Sequence, residues 1–475
     1  MVSVHRLRSP TVPALDFGAI RTEIGVPGAF PADVLAEADR AAAAPRLAGH
    51  VDATDLDLVT IDPPGSMDLD QAVGLADRPG GGWTVHYAIA DVAAWVEPGG
   101  ALDLATRART QTFYAPDRRT PLHPPVLGEQ AASLLPDGPR PAVLWTMEVE
   151  ADGTTGRVDV RRALVRSRAR LDYAAVQVGL DTGRAPACVA PLAVLGPILV
   201  EASIARGAIE LGLPEQEVVA DPDGTWTVEL RADRPVEQWN AQISLLTGRA
   251  AAALMVTAGV GILRTLPPPD PAGFPRLQDA ARRLGVDWPA GASPGQVLAG
   301  LDVSRPRHAA FADLAAGLLR GAGYTALPLA GSDAPLGHAG VGDRYAHVTA
   351  PLRRLVDRFG TEICLAVAAG QDPPAWALEA LPTLPEVMVT GDALARRLER
   401  ASIDATEAFV LQGRVGEVFP AAVIESGQAH GTVTLDTPAV RGRCDTRNLP
   451  LGADIHVRCT KADVTERQVR FERVS

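Results

Sequence analysis

The 475-residue chain is 47% hydrophobic and 21% charged, with a formal net charge of −12. That composition excludes a disordered chain, and the length gives a soft prior of about three domains. The acidic balance, with a pI near 5.3, excludes a protein that coats duplex nucleic acid by bulk charge, but it leaves room for a single strand held in a local basic channel.

In chain order, residues 1–50 read as a short helical leader. Leu15 to Ile24 is loosely helical, and Pro31 to Ala44 is an alanine-rich helix opened by Pro31-Ala32-Asp33. Residues 51–375 mix strands and helices. Trp83–Val92 and Ala142–Val149 alternate like strands, and a turn at Gly153 makes Arg157–Ser167 a hairpin partner for the second. Helical periodicity marks Gln238–Ala258, His308–Leu319 and Arg353–Ala369, the last beginning after Pro351 in its first turn. A boundary falls at Gln371-Asp372-Pro373-Pro374, and residues 376–409 form a connector containing a charged helix from Gly391 to Phe409.

Residues 410–475 change character. Arg414–Phe419, Ala421–Glu425, Gly431–Leu435, Ala439–Arg443, Ile455–Lys461 and Gln468–Val474 read as short strands between Gly, Pro and Asn turns. That number of short strands predicts a small OB-fold barrel. The expected fold is therefore α/β (α+β): a central mixed domain followed by an all-β barrel. No apolar run approaches the ~20 residues of a membrane span, and the N-terminal segment lacks the apolar core of a secretory signal. Cys188, Cys364, Cys444 and Cys459 are scattered without a CxxC pair and read as free thiols in a reducing cytoplasm.

The most informative stretch is Val59-Thr60-Ile61-Asp62-Pro63-Pro64-Gly65-Ser66-Met67-Asp68-Leu69-Asp70. It puts three carboxylates at one strand-to-loop junction, where they repel one another unless a cation sits between them. A hard divalent ion with oxygen ligands fits that need, which points to metal-assisted phosphoryl chemistry. An isolated acidic triplet is more often a solvated turn; the fixed frame D-P-P-G-S-x-D-L-D favours function.

This segment resembles the signature T-I-D-P-x-x-A-x-D-L-D-D-A of the ribonuclease II/R family, whose catalytic domain is the RNB domain. The likeness continues through His86–Val92, Tyr114-Ala115-Pro116-Asp117-Arg118, Ala132-Ser133-Leu134-Leu135-Pro136 and Arg170-Leu171-Asp172-Tyr173. It resumes at His338 and at Tyr345-Ala346-His347-Val348-Thr349-Ala350-Pro351-Leu352-Arg353-Arg354. Several ordered motifs across the chain are specific where one alone is weak.

The resemblance implies an RNB domain over 51–375 and an RNA-binding barrel over 410–475. It implies Mg²⁺-dependent (or Mn²⁺-dependent) hydrolysis of single-stranded RNA from the 3′ end to nucleoside 5′-monophosphates. It places Asp62, Asp68 and Asp70 on metal, with Asp70 the residue whose loss hurts most. The family's fourth carboxylate is Gln71 here, an amide that still offers an oxygen but no charge. Arg353 is expected on the scissile phosphate, with Arg354 the next candidate. Arg358 either shares the phosphate or lies on a solvated helix face. Tyr114 and Tyr173 are expected to stack on bases, each against the alternative of core packing. Gln242 stands where the family carries an acidic residue near the RNA sugar.

His86, Tyr87, Asp91 and Trp95 read as structural, and His338 and His347 as simply hydrogen-bonded. Family members typically carry cold-shock domains ahead of the catalytic one. The 50-residue leader has no room for one, so shorter runs per binding event are expected. A cytoplasmic monomer with no membrane association completes the expectation. The first alternative is an RNB-type RNA-binding protein weakened or inactivated by Gln71. The second is a phosphohydrolase of small molecules using a DxD nucleophile, and Asp62 rather than Asp68 at the strand end speaks against it.

Overall fold

The computed structural model describes residues 15–220, 224–303, 305–317, 319–328 and 336–474. Helix α1 (Phe17–Ile24) is capped by Asp16, whose carboxylate accepts from the Ala19 N–H, and α2 (Ala32–Ala43) follows. Neither stands apart as a leader. Phe17, Ile20 and Ile24 pack on Leu398, Ala401 and Ala405 far along the chain, and α2 covers one face of the central sheet. Their apolar stripes are too small to be stable alone and must be buried on a larger body.

That body is a seven-stranded sheet. Its strands are β1 (Val51–Asp52), β2 (Leu58–Asp62), β3 (Gln71–Asp77) and β4 (Trp83–Ala90), then, after helix α3 (Ala101–Arg109) and the two-residue hairpin strands β5 (Phe113–Tyr114) and β6 (Arg119–Thr120), β7 (Arg140–Val149), β8 (Thr155–Val165) and β9 (Ser167–Asp172). The order is β1-β8-β7-β4-β3-β2-β9, with parallel pairs only at the two edges. Period-two alternation sorts the side chains between two cores. Val85, Tyr87, Ile89 and Trp145 face the large core, while Ala88, Ala90 and Leu144 face α2 and α3.

After β9 come α4 (Tyr173–Asp181) and α5 (Leu192–Ala205), then an antiparallel hairpin of β10 (Glu215–Ala220) and β11 (Trp226–Arg231). The long helix α6 (Pro235–Ala258) is apolar enough in length and mean hydropathy to cross a membrane, contrary to the sequence reading. Here it is a core helix, burying Ile243, Leu246, Ala251 and Met255 over the sheet. Strand β12 (Gly261–Thr265), helices α7 (Phe274–Leu284), α8 (Pro294–Ala299) and α9 (Pro306–Ala316), and β13 (Gly323–Leu327) follow; β12 and β13 pair. The three short helices gather a small core around Leu277 and Phe311.

Helix α10 (Leu355–Ala368) starts two residues later than expected, for reasons set by the site below. The connector holds α11 (Ala375–Ala380) and α12 (Leu384–Leu411), the latter longer than the charged stretch that announced it. A closed five-stranded barrel then forms from β14 (Val418–Ser426), β15 (Gly431–Thr434), β16 (Arg441–Cys444), β17 (Asp454–Asp463) and β18 (Gln468–Val474), in the order β14-β15-β16-β18-β17. The two strands expected on either side of Pro420 are one, because Pro420 keeps its place in the β14–β17 register opposite His456.

Gly74 in β3 sits where an added Cβ would lie 2.3 Å from the Asp57 carbonyl oxygen and 3.0 Å from the Leu58 side chain. Gly74→Ala therefore forces β2 and β3 apart, and we expect a loss of about 1–3 kcal/mol, read as a lower midpoint in urea unfolding.

Candidate active site

The acidic junction is a loop strung between adjacent strands. Asp62 closes β2 and Gln71 opens β3. The turn after Asp62 needs Gly65 at φ 82°, a backbone conformation that glycine adopts without steric cost. Two distant motifs hold the loop's far side. The buried Ser133 hydroxyl accepts from the Leu69 N–H at 3.0 Å and donates to the Met67 carbonyl at 2.6 Å, and the Leu134 N–H donates to the Leu69 carbonyl. Arg170, opposite Thr60 across the parallel β2–β9 pair, donates to the Ser66 carbonyl at 3.3 Å.

The second half of the site is the turn from Thr349 to Arg354. Pro351 disfavours helical geometry at the residue before it, and Arg354 is extended at φ −132° and ψ 127°, so α10 begins only at Leu355. The fully buried Asp357 closes the turn from below. Its carboxylate accepts from the Ala350 N–H at 2.6 Å and from Arg354 Nε and Nη2 at 2.9 and 2.8 Å. The turn presents the Leu352 N–H to Asp70 Oδ1 at 2.7 Å and brings Arg353 Nε to 3.3 Å from Asp70 Oδ2. The two segments meet although 282 residues separate Asp70 from Leu352.

Electrostatics mark the junction as a site under stress. Burial pushes the Asp70 carboxyl up to about 8, with Arg353 and the Leu352 N–H pulling against it. Burial likewise pushes Asp62 up to about 7, again opposed by Arg353, with Asp68 adding repulsion. Asp62 Oδ2 is buried with no hydrogen-bond partner. Asp68 instead pairs with Arg119, which also holds Glu129. Among the described residues no three His, Cys, Asp or Glu side chains converge closely enough to hold a metal ion as they stand; Asp68 pairs with Arg119 and Asp70 with Arg353. The donor set still fits a hard cation: carboxylate oxygens, one of them buried and unsatisfied, two of them costly to ionise without a positive charge.

The remaining candidates separate clearly. Tyr114, at the end of β5, is 52% exposed and close enough to Asp68, Arg353 and Asp70 to feel their charges. Tyr173, the first residue of α4, is half-buried, hydrogen-bonds Asn240 and lies near Asp62. It lines a cavity of about 430 Å³ together with Pro63, Pro64 and Glu237. Gln71 is half-buried, and its side-chain amide nitrogen donates to the Thr349 carbonyl.

Two expectations need correction. Gln242 is 4% exposed, and its amide nitrogen donates to Glu210 at 3.2 Å. Glu210 was not noticed in the sequence. Asp357 clamps Arg354, whose side chain stays partly exposed. Arg358 is neither on the phosphate nor solvated: it is buried, paired with Asp103 at 2.7 Å and stacked over Trp376. His347 is buried and bonded to the Tyr324 hydroxyl at 2.8 Å. Asp91 is buried between His50 and Arg162, and Tyr87 bonds Ser244; these fit their structural reading. Arg119, Ser133, Arg170 and Asp357 were not singled out as site residues: the first three act through partners 51 to 104 residues away, and Asp357, though local, closes a turn whose role only the fold reveals.

The raised carboxyls set a pH dependence. Both favour the protonated form in the fold, so their stabilising effect is complete below about pH 4 and is lost as pH rises through 7 to 8. Each pH unit in that window costs up to about 1.4 kcal/mol per group. In EDTA, wild-type stability should fall from pH 5 to pH 9, and Asp70→Asn, which keeps an acceptor for Leu352 without a charge, should fall less. Chemical denaturation at the two pH values checks this; parallel losses would refute it.

Residues 50–362 match the RNB domain family, and residues 417–474 match the RNase II-type exonuclease C-terminal S1 domain. The chain is 27% identical over 458 residues to ribonuclease R of Aquifex aeolicus, covering 87% of this chain and 63% of that one. It is 30% identical over 328 residues to ribonuclease R of Vibrio cholerae, covering 65% of this chain and 39% of that one. It thus spans roughly two fifths to two thirds of the length of these curated relatives. A solved Mycoplasma genitalium RNase R in complex with ribose-methylated single-stranded RNA shares the fold, with a TM-score of 0.84 over 96% of this chain and 77% of that one at 19% identity. With the acidic junction, the Arg353 turn and the barrel all inside the matched segments, the chain belongs to the RNB-domain family.

Proposed function

We propose that this chain is a 3′→5′ exoribonuclease that hydrolyses single-stranded RNA to nucleoside 5′-monophosphates with Mg²⁺, or Mn²⁺ in its place. The observation that carries the proposal is the meeting of Asp70 with Leu352 and Arg353, which sets a buried carboxylate and a partly exposed guanidinium side by side. Family membership and the RNA-bound relative support the same reading.

Asp62, Asp68 and Asp70 would hold the metal. When bound, it would supply charge neutralisation at the phosphate and an activated water. Arg353 grips the scissile phosphate with its planar guanidinium and stabilises the charge that develops there. The Leu352 N–H orients Asp70 through its Oδ1. Tyr114 offers an exposed ring to the terminal base, a grip that tolerates any sequence because every base has a π-face. Tyr173, tethered to Asn240, lines the approach beside Asp62. Discrimination against DNA rests on contacts to the 2′-hydroxyl. The chain would act in a reducing cytoplasm, where its four free thiols would persist, and as a monomer.

A 5′-labelled single-stranded RNA incubated with purified protein and Mg²⁺ or Mn²⁺ should shrink as a ladder from its 3′ end, and not in EDTA or with Asp70→Asn. Arg353→Ala should lower turnover by about 10²–10³-fold. Tyr114→Ala should weaken binding of short RNA by about 1–3 kcal/mol. RNA binding without cleavage in either metal would sink the proposal and leave an RNA-binding protein; hydrolysis of a generic phosphate ester without RNA would point to a small-molecule phosphohydrolase.

A further inference from the structure

Gln71 lies beside Asp70 at the start of β3, opposite Ile89 in the β3–β4 ladder, with its side chain toward the Thr349–Arg354 turn. A carbonyl oxygen only accepts, so the group facing Thr349 must be the amide nitrogen of Gln71. No carboxylate could replace it there while ionised, because two acceptors would meet across a half-buried gap.

Three side chains at the acidic junction and beneath it hold the turn, beside His123 on the Pro351 carbonyl and the Thr112 N–H on the Arg353 carbonyl. Gln71 donates to the Thr349 carbonyl, Asp357 accepts from the Ala350 N–H, and Asp70 accepts from the Leu352 N–H. Asp357 also clamps Arg354, whose guanidinium reaches the Thr349 hydroxyl at 3.5 Å. Among these side chains, Gln71 and Asp70 are neighbours in the chain, so a single strand end sets both the start and the middle of the turn. Arg353 projects from the residue between Leu352 and Arg354. Its reach toward Asp70 therefore depends on where Thr349 and Leu352 are held, together with the Thr112 N–H on its own carbonyl.

We propose that Gln71 is a positioning residue rather than a metal ligand: its amide fixes the Thr349–Arg354 turn, and through it the placement of Arg353 and of the N–H that orients Asp70. The observed contact commits the amide nitrogen to the turn, which is the donor a carboxylate at this position would lack. The catalytic consequence of this role rests on the exoribonuclease reading; the structural consequence does not.

The test uses Gln71→Glu, which keeps the shape and removes the donor, and Gln71→Met, which removes the donor without adding charge. Hydrogen–deuterium exchange in peptides covering residues 349–355 should run about fivefold to tenfold faster in both, the change that loss of one ordinary hydrogen bond permits. On RNA, both should lower kcat by about 10–100-fold through misplacement of Arg353, with KM little changed. Mn²⁺ affinity measured by calorimetry should stay at the wild-type value. Unchanged exchange in the turn would overturn the proposal. So would Mn²⁺ binding tightened by about tenfold or more in Gln71→Glu with turnover raised, since added ligand charge strengthens a true metal site. A wild-type protein that fails to shorten RNA would remove the exoribonuclease reading alone, and the exchange measurement would still decide what Gln71 does.

Discussion

The structure is organised around a carboxylate that is difficult to bury. Asp70 is 2% exposed, and an ionised carboxylate at that depth is costly unless it is paired and hydrogen-bonded. The chain answers with one N–H from Leu352 and one guanidinium from Arg353. Both come from a turn almost at the other end of the catalytic domain. Much of the architecture follows from delivering that turn: α6 and α10 packed over the sheet, Asp357 beneath the turn and Gln71 beside it.

Rigidity of the site is achieved by backbone contacts more than by side-chain pairs. Ser133 satisfies two backbone groups of the acidic loop, Leu134 satisfies a third, and Arg170 reaches a fourth. Such contacts leave the acidic oxygens themselves free of competing partners, as the unsatisfied Asp62 oxygen illustrates. The surrounding arginines do the opposite service. Arg119 and Arg353 pair with Asp68 and Asp70 and offset part of their negative charge.

Domain boundaries in this chain are weaker than its composition suggests. The first helix packs on α12, and Phe17 meets Trp226 of the β10–β11 hairpin edge to face at 5.1 Å. The same hairpin touches the barrel, where the Ala439 N–H donates to the Val228 carbonyl. Gln216 and Arg441 share the buried Glu407 of α12. Leader, hairpin, connector and barrel therefore form one continuous structure on the catalytic domain.

Local pattern was enough for β4, β7 and β8 of the sheet, for most of α6 and α10 and for the barrel, because alternation and helical period are imposed by neighbours within a few residues. The acidic frame and the Pro351–Arg354 phrase were also plain in the chain, since their residue types are unusual in combination. What sequence could not supply was direction. In the sequence Gln71 stood as an amide oxygen for metal, Arg358 as a phosphate contact or a solvated charge, and Gln242 as a neighbour of the RNA sugar. The structure shows the partners they face: Thr349, Asp103 and Glu210. A side chain's chemistry is written in the sequence, but the atom it faces depends on tertiary packing, and a donor has no function until folding brings an acceptor within its reach.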